Sequence, residues 1–143
     1  LRLSSGRPFP WWAKPLIPGN SNRFRVLDVG AGPVTALGDQ WGEKTITIVP
    51  VDPLAHSYKE VLERYAITPP VPTIYGIAES LVEQFGEESF EFAYACNCLD
   101  HAIDPGEEDY VARVMQFTKG FGADAVIDSV ADLVRPGPLA RSA

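Results

Sequence analysis

The stretch RVLDVGAGPVT, residues 25–35, sets an apolar run of strand length against a turn that holds two glycines and a proline. Its apolar residues occupy both alternating positions, the pattern of a strand covered on each face in a parallel sheet flanked by helices. Glycine at 30 and 32 lets the main chain approach a neighbour more closely than any side chain permits. Further runs of strand length follow at TITIVPVD (45–52), TIYGIA (73–78), EFAYACN (91–97) and DAVIDSVA (124–131). Helical patterns lie between them. PLAHSYKEVLERYA (53–66) sets Leu54, Tyr58, Val61, Leu62 and Tyr65 on one stripe, and SLVEQFG (80–86) reads as a short helix. EEDYVARVMQFTKG (107–120) repeats the stripe with Tyr110, Val111, Val114 and Phe117. Alternating strands and helices predict an α/β fold: an open, mostly parallel, Rossmann-like sheet of about five strands with helices on both faces.

A chain of 143 residues and 15.6 kDa is the size of one domain. Residues 1–22 carry Pro8, Pro10, Pro15 and Pro18 with adjacent tryptophans, a composition that disfavours regular helix and predicts an extended Pro-rich N-terminal arm. Residues 23–143 then form the sheet domain. The 19 acidic against 12 basic side chains give a formal charge of −7, which repels a polyphosphate backbone and argues against nucleic acid as a partner. Cys96 and Cys98 stand one residue apart on a strand, a spacing unsuited to a normal disulfide, so reduced buried thiols are expected. A metal site would need more ligands than nearby His101 supplies, and none is expected. No run approaches the ~20 apolar residues of a membrane span, and LRLSSGRPFPWW lacks the apolar centre of a signal peptide, so a cytoplasmic protein without membrane contact is expected.

In open α/β sheets ligands bind beyond the carboxyl ends of the strands. The first strand ends in Asp28, Val29, Gly30, Ala31 and Gly32, and the second ends at Asp52, 22 residues after Gly30. An acid near that offset is placed to accept hydrogen bonds from a ribose diol lying over the glycine turn. A bare strand-to-helix turn and a helix cap at Asp52 before Pro53 are the alternative structural roles.

VLDVGAGPVT, VPVDPL, YGIAESL and FEFAYACNCLDHAIDP together resemble the first four motifs of the class I S-adenosylmethionine-dependent methyltransferases, over residues 24–105. The resemblance implies S-adenosyl-L-methionine as cofactor. It sets Asp28, Gly30, Ala31 and Gly32 beneath the methionine part and Asp52, followed by Pro53, at the ribose. Ile77, Ala78 and Glu79 would then flank the adenine, and Asn97, Leu99, Asp100 and His101 would line cofactor and acceptor. The sequence departs from the family pattern at Val34, where a further glycine is common, and at Ile77, where an acid often meets the adenine amino group. The family sheet has seven strands and this sequence has room for about five, so the fold is expected to be incomplete. LVRPGP (133–138) resembles the turn before a fifth strand, whereas FTKGFGADAVIDSVA is similar to a segment of medium-chain dehydrogenases.

Methyl transfer is an in-line displacement that rests on alignment and exclusion of water, with a base where the acceptor carries a proton. His101 has the titration range and position of such a base, and Asn97 can orient the acceptor or the cofactor amine; plain loop and strand-end roles are the alternatives. His56 is expected on a solvated helix face. Trp11 and Trp12 are read either as an aromatic lid or as packing of the arm onto the sheet. The expected activity is methyl transfer to a small-molecule acceptor. Two alternatives are a nicotinamide dinucleotide-binding oxidoreductase fragment, which shares the glycine turn, and a truncated, non-catalytic nucleoside-binding domain. An incomplete sheet leaves an open edge, and pairing of that edge with a second copy predicts a homodimer.

Overall fold

The computed structural model describes residues 2–17 and 21–96. Strand β1, Arg23–Val29, lies in the middle of the sheet, and β2 (Gln40–Trp41) and β3 (Lys44–Asp52) follow it. Helix α1 spans Ala55–Arg64, β4 Ile74–Tyr75, helix α2 Leu81–Phe85 and β5 Phe92–Ala95. The sheet is open and mixed, in the order β2-β3-β1-β5, with β4 also on β3. β1 pairs in parallel with β3 and β5, β3 pairs in parallel with β4, and β2 runs antiparallel to β3. The expected α/β class and strand number hold, whereas the parallel pattern is interrupted by β2. The segments at 107–120 and 124–131 lie outside the described residues.

Several expected elements differ in extent for local reasons. The run 73–78 yields only two residues of strand, and Gly76, which follows them, packs tightly against Val51, Leu81 and Gln84. From there the chain turns through a short 3-10 segment, Ala78–Ser80, into α2. β2 escaped the sequence pattern. It is two residues long and joins β3 through Gly42 and Glu43, with Gly42 at φ 57°, a two-residue hairpin loop of the kind glycine favours. Pro50 sits inside β3 without breaking it. The Thr45 N–H bonds Asn22 O on the β1 side, so by alternation Pro50 turns its nitrogen to the other side, between β2 and β4, where no ladder bond is lost.

The two faces of the sheet are covered by different means. On one face Phe24, Val26, Ile46 and Ile48 pack with Phe9, Ala13 and Leu37. On the other, Leu27 and Val51 pack with Leu81 and Phe90, joined by Val82 and Phe85. α2 is too short to cover the full strands, so Arg23, Arg25, Thr45 and Thr47 remain solvent-exposed at their amino ends. Burial on both faces, expected along the whole of 25–30, is therefore reached only towards the carboxyl ends.

The Pro-rich segment serves as a structural layer. Phe9 is 1% exposed and stacks on Trp41 with ring centroids 5.9 Å apart, and Trp12 leans on Tyr94 of β5. Pro15 is accommodated at the start of a 3-10 turn, Lys14–Leu16. Phe9 N–H bonds Gln40 O and Gln40 N–H bonds Arg7 O, which fixes the segment alongside β2. Arg7 then donates to the carbonyl oxygens of Thr35, Ala36 and Leu37. Gly38 permits this approach, since a Cβ there would stand 2.3 Å from the carbonyl oxygens of Arg7 and Pro8.

The helix stripe expected to enter the core does not. Leu54, Val61 and Tyr65 are 54%, 48% and 69% exposed, and α1 buries Ala55 instead, with His56 stacked on Tyr75. A short β4 gives the helix only a narrow support. No helix among the described residues is long and apolar enough to cross a membrane.

Because Phe9 fills the core under β2, Phe9→Ala should lower unfolding stability by about 3–5 kcal/mol. Trp11→Ala, at a ring 80% exposed, should change it by less than ~0.5 kcal/mol. Urea denaturation of the two variants beside the parent chain measures both.

Candidate functional site

The carboxyl ends of β1 and β3 lie side by side, with Asp28 in register with Pro50 and Val29 with Val51. Gly30 and Gly32 follow at φ 66° and 69°, in the left-handed region that favours glycine. Between them Ala31 is buried and donates its N–H to Val51 O at 3.1 Å, which prolongs the ladder by one rung. The Gly32 N–H donates to Asp52 Oδ2 at 3.0 Å, and the Gly32 carbonyl accepts from Thr73 Oγ1 at 2.7 Å. Both main-chain groups of this glycine are satisfied inward, while a Cβ added to it would meet nothing within 4 Å. The turn therefore presents bare main chain to open space beside a carboxylate.

Asp52 is 7% exposed, and its second oxygen, Oδ1, accepts from the Leu54 N–H at 2.8 Å. This bond to a residue two positions on is an Asx-turn. α1 itself receives no side-chain cap, its N-cap position being Leu54. An ionised carboxylate offers about four acceptor positions. Two are taken by amides, which leaves Asp52 able to accept further hydrogen bonds. Pro53, next to it, is exposed. Tyr58 lies near enough for the Asp52 charge, after burial, to raise its phenol above the ordinary range.

Asp28 is placed differently. It is 2% exposed, and its Oδ2 accepts from the Thr35 hydroxyl at 2.5 Å, while the same hydroxyl oxygen accepts from the Leu37 N–H. Burial pushes the carboxyl up from 3.8 to about 6; the Thr35 hydrogen bond and Arg2 act against that, and the Asp52 charge adds to it. Tyr94 on β5 stands on the same side. Burial first, then its hydrogen bond with Cys96 and the negative charge nearby, hold its phenol above the usual range.

β4 ends at Tyr75, the register partner of Asp52. Ile77, Ala78 and Glu79 follow directly, half-buried, in the turn that leads to α2. The structure thus brings together Asp28, Gly30, Ala31, Gly32, Asp52 and Pro53, with Ile77, Ala78 and Glu79 beyond the end of the neighbouring strand. Asn97, Cys98, Leu99, Asp100 and His101 lie outside the described residues. Thr73 and Arg7 escaped the sequence reading, and so did the bond of Thr35 to Asp28. Only Thr35 carried a signal, standing at the third place of Gly30-x-Gly32-x-x-Thr35, where a dinucleotide fingerprint has glycine or alanine. No helix opens behind the turn, since residues 31–39 are irregular.

A shallow cleft of about 280 Å³, including space open to solvent, runs beside Arg2, Arg7, Thr35 and Gly38 rather than over Gly32 and Asp52. Its lining combines the N-terminal segment with residues 35 and 37–39, Ile48, Pro70 and Val71, and the convergence of main-chain and carboxylate groups at Gly32 is the better guide to chemistry. Among the described residues no group of three or more His, Cys, Asp or Glu side chains is placed to hold a metal ion. No protein-family profile matches the chain, and neither a curated protein nor a solved structure is significantly similar to it.

The raised carboxyl of Asp28 gives a signed pH dependence. Between pH 3.8 and about 6 the folded chain holds more proton at Asp28 than the unfolded chain, so this group's contribution to stability falls as pH rises and stays low above pH 6. Asp28→Asn, which retains an acceptor for Thr35, should gain stability over the parent by roughly 2 kcal/mol between pH 4 and pH 8. Urea midpoints of both chains across that range test the sign.

Proposed function

We propose that the chain binds a nucleoside-bearing cofactor at the Gly30–Gly32 turn and Asp52, that the cofactor is S-adenosyl-L-methionine, and that the activity is methyl transfer to a small-molecule acceptor. The observation that carries the reading is the bare outer surface of Gly32, tied through its own N–H to a carboxylate with free acceptor positions. The strand order supports it. Taken in chain order, the parallel strands run third, second, first, fourth across β4, β3, β1 and β5, the arrangement of the first four strands of Rossmann-like sheets. In that arrangement ligands bind where the order reverses, beside the carboxyl ends of β1 and β5. The Rossmann-like identity of the sheet is part of the same proposal.

The residues fit such a group in kind. Gly30, Ala31 and Gly32 offer main chain without side-chain obstruction, Asp52 offers oxygens to a pair of hydroxyls, and Ile77 and Ala78 offer apolar contact to a base. The cofactor supplies an activated methyl group on a sulfonium. What this chain contributes is alignment and an anionic surround, with Asp28 and Asp52 on one face of the sheet. His101 and Asn97 remain the residues proposed for proton removal and acceptor orientation, on the strength of the resemblance alone. The nicotinamide dinucleotide reading has less support, because a pyrophosphate is held by a helix N-terminus behind the glycine turn, and residues 31–39 form no helix.

Calorimetric titration with S-adenosylhomocysteine should give saturable binding in the parent chain and none with NAD. Asp52→Ala should weaken that binding by roughly tenfold or more, the worth of hydrogen bonds to a charged group. Absence of binding in the parent chain, or equal affinity in a folded Asp52→Ala variant, overturns the assignment.

A further inference from the structure

Six large apolar side chains between residues 54 and 75 face solvent: Leu54, Val61, Tyr65, Ile67, Ile74 and Tyr75. Elsewhere among the described residues only Leu3 and Trp11 do so. Single exposed apolar residues are ordinary, whereas a contiguous patch marks an interaction surface. This patch is contiguous, since α1 and β4 pack on each other and Ile67 lies in their connection. β4 pairs only with β3 among the described residues and forms the margin of the sheet there. Tyr75 shares the face of Asp52 and Ile74 that of Val51, so the patch wraps around the margin from one face to the other.

The helix explains what kind of partner fits. Leu54, Tyr58, Val61 and Tyr65 recur at spacings of four, three and four, which is the seam spacing of two helices packed side by side. Their order is self-complementary. A two-fold axis between residues 59 and 60 sets Leu54 against Tyr65 and Tyr58 against Val61, twice over. Of the positions flanking the seam, Ala55 is buried in the chain's own body and Leu62 half-buried, while Ser57 and Arg64 are exposed, and the antiparallel arrangement opposes no like charges. We infer that this margin is the isologous interface of a homodimer, in which α1 packs antiparallel against α1 of a second copy.

Two further observations favour a second copy over the chain's own remaining residues. The described chain leaves the sheet at Cys96, after β5, on the margin opposite β4. The apolar surface offered is on the order of 500 Å² per copy, close to the ~800 Å² per partner of a standard interface once a polar rim is added. The inference is independent of what binds at Gly32 and Asp52.

Sedimentation equilibrium of the full 143-residue chain should give a mass about twice 15.6 kDa at micromolar concentration. Val61→Lys and Tyr65→Lys, both at exposed positions, should each raise the dimer dissociation constant by about a hundredfold, with unchanged far-UV circular dichroism and a Tm that no longer rises with protein concentration. Mixing Val61→Lys with Val61→Glu chains should restore the doubled mass. A monomeric parent chain in which residues 54–75 are protected from hydrogen exchange would assign the patch to the chain's own residues 97–143 and overturn the inference. A parent monomer without that protection, or a dimer that survives both lysine variants, overturns it as well.

Discussion

One carboxylate holds the exits of two adjacent strands. Asp52 accepts the amide of Gly32, which fixes the exit of β1, and the amide of Leu54, which fixes its own exit from β3. The carbonyl of the same glycine takes the hydroxyl of Thr73, one residue before β4. Both main-chain groups of Gly32 are thereby directed inward, and the surface left outward is a Cα with open space beyond it. Short polar bonds at the rear thus produce an unobstructed front, at a backbone conformation that glycine adopts without strain.

The two acids at this end of the sheet have been given opposite surroundings. Asp28 and Asp52 occupy the same face of adjacent strands, yet Asp28 meets a single hydroxyl while Asp52 meets two amides. Burial then raises Asp28 until proton retention competes with ionisation near pH 6. Asp28 sits behind Thr35 and steadies the crossover, because the hydroxyl that it accepts from also accepts the Leu37 N–H. The division of labour between a support and a presented group follows from donor count and depth, although the two side chains are chemically identical.

The sequence is legible where a local pattern has a local cause. β1 and β3 are runs of β-branched and apolar residues ended by glycine or an acid, and the spacing from Gly30 to Asp52 correctly joins two strand ends that lie side by side in the sheet. Legibility fails where distant segments decide. Nothing within LRLSSGRPFPWW indicates that Phe9 stacks on Trp41, because that ring enters through a hairpin more than thirty residues away. The clamp of Arg7 on three carbonyls and the bond of Thr73 to Gly32 are likewise contacts between remote positions. The stripe of α1 was visible with the right spacing, but periodicity tells which side chains share a side, and not whether the sheet or something else covers them.

The use of the first segment as a covering layer has a consequence for how the chain assembles. Phe9 needs Trp41 and Ile48 around it, and Trp12 meets Tyr94. These residues precede in the chain the strands they cover, so their aromatic surface is shielded only once those strands are present. Contacts of such long sequence separation slow folding, since the loop entropy must be lost before the burial is gained. The covering layer thus has a binding surface only after the central strands have aligned.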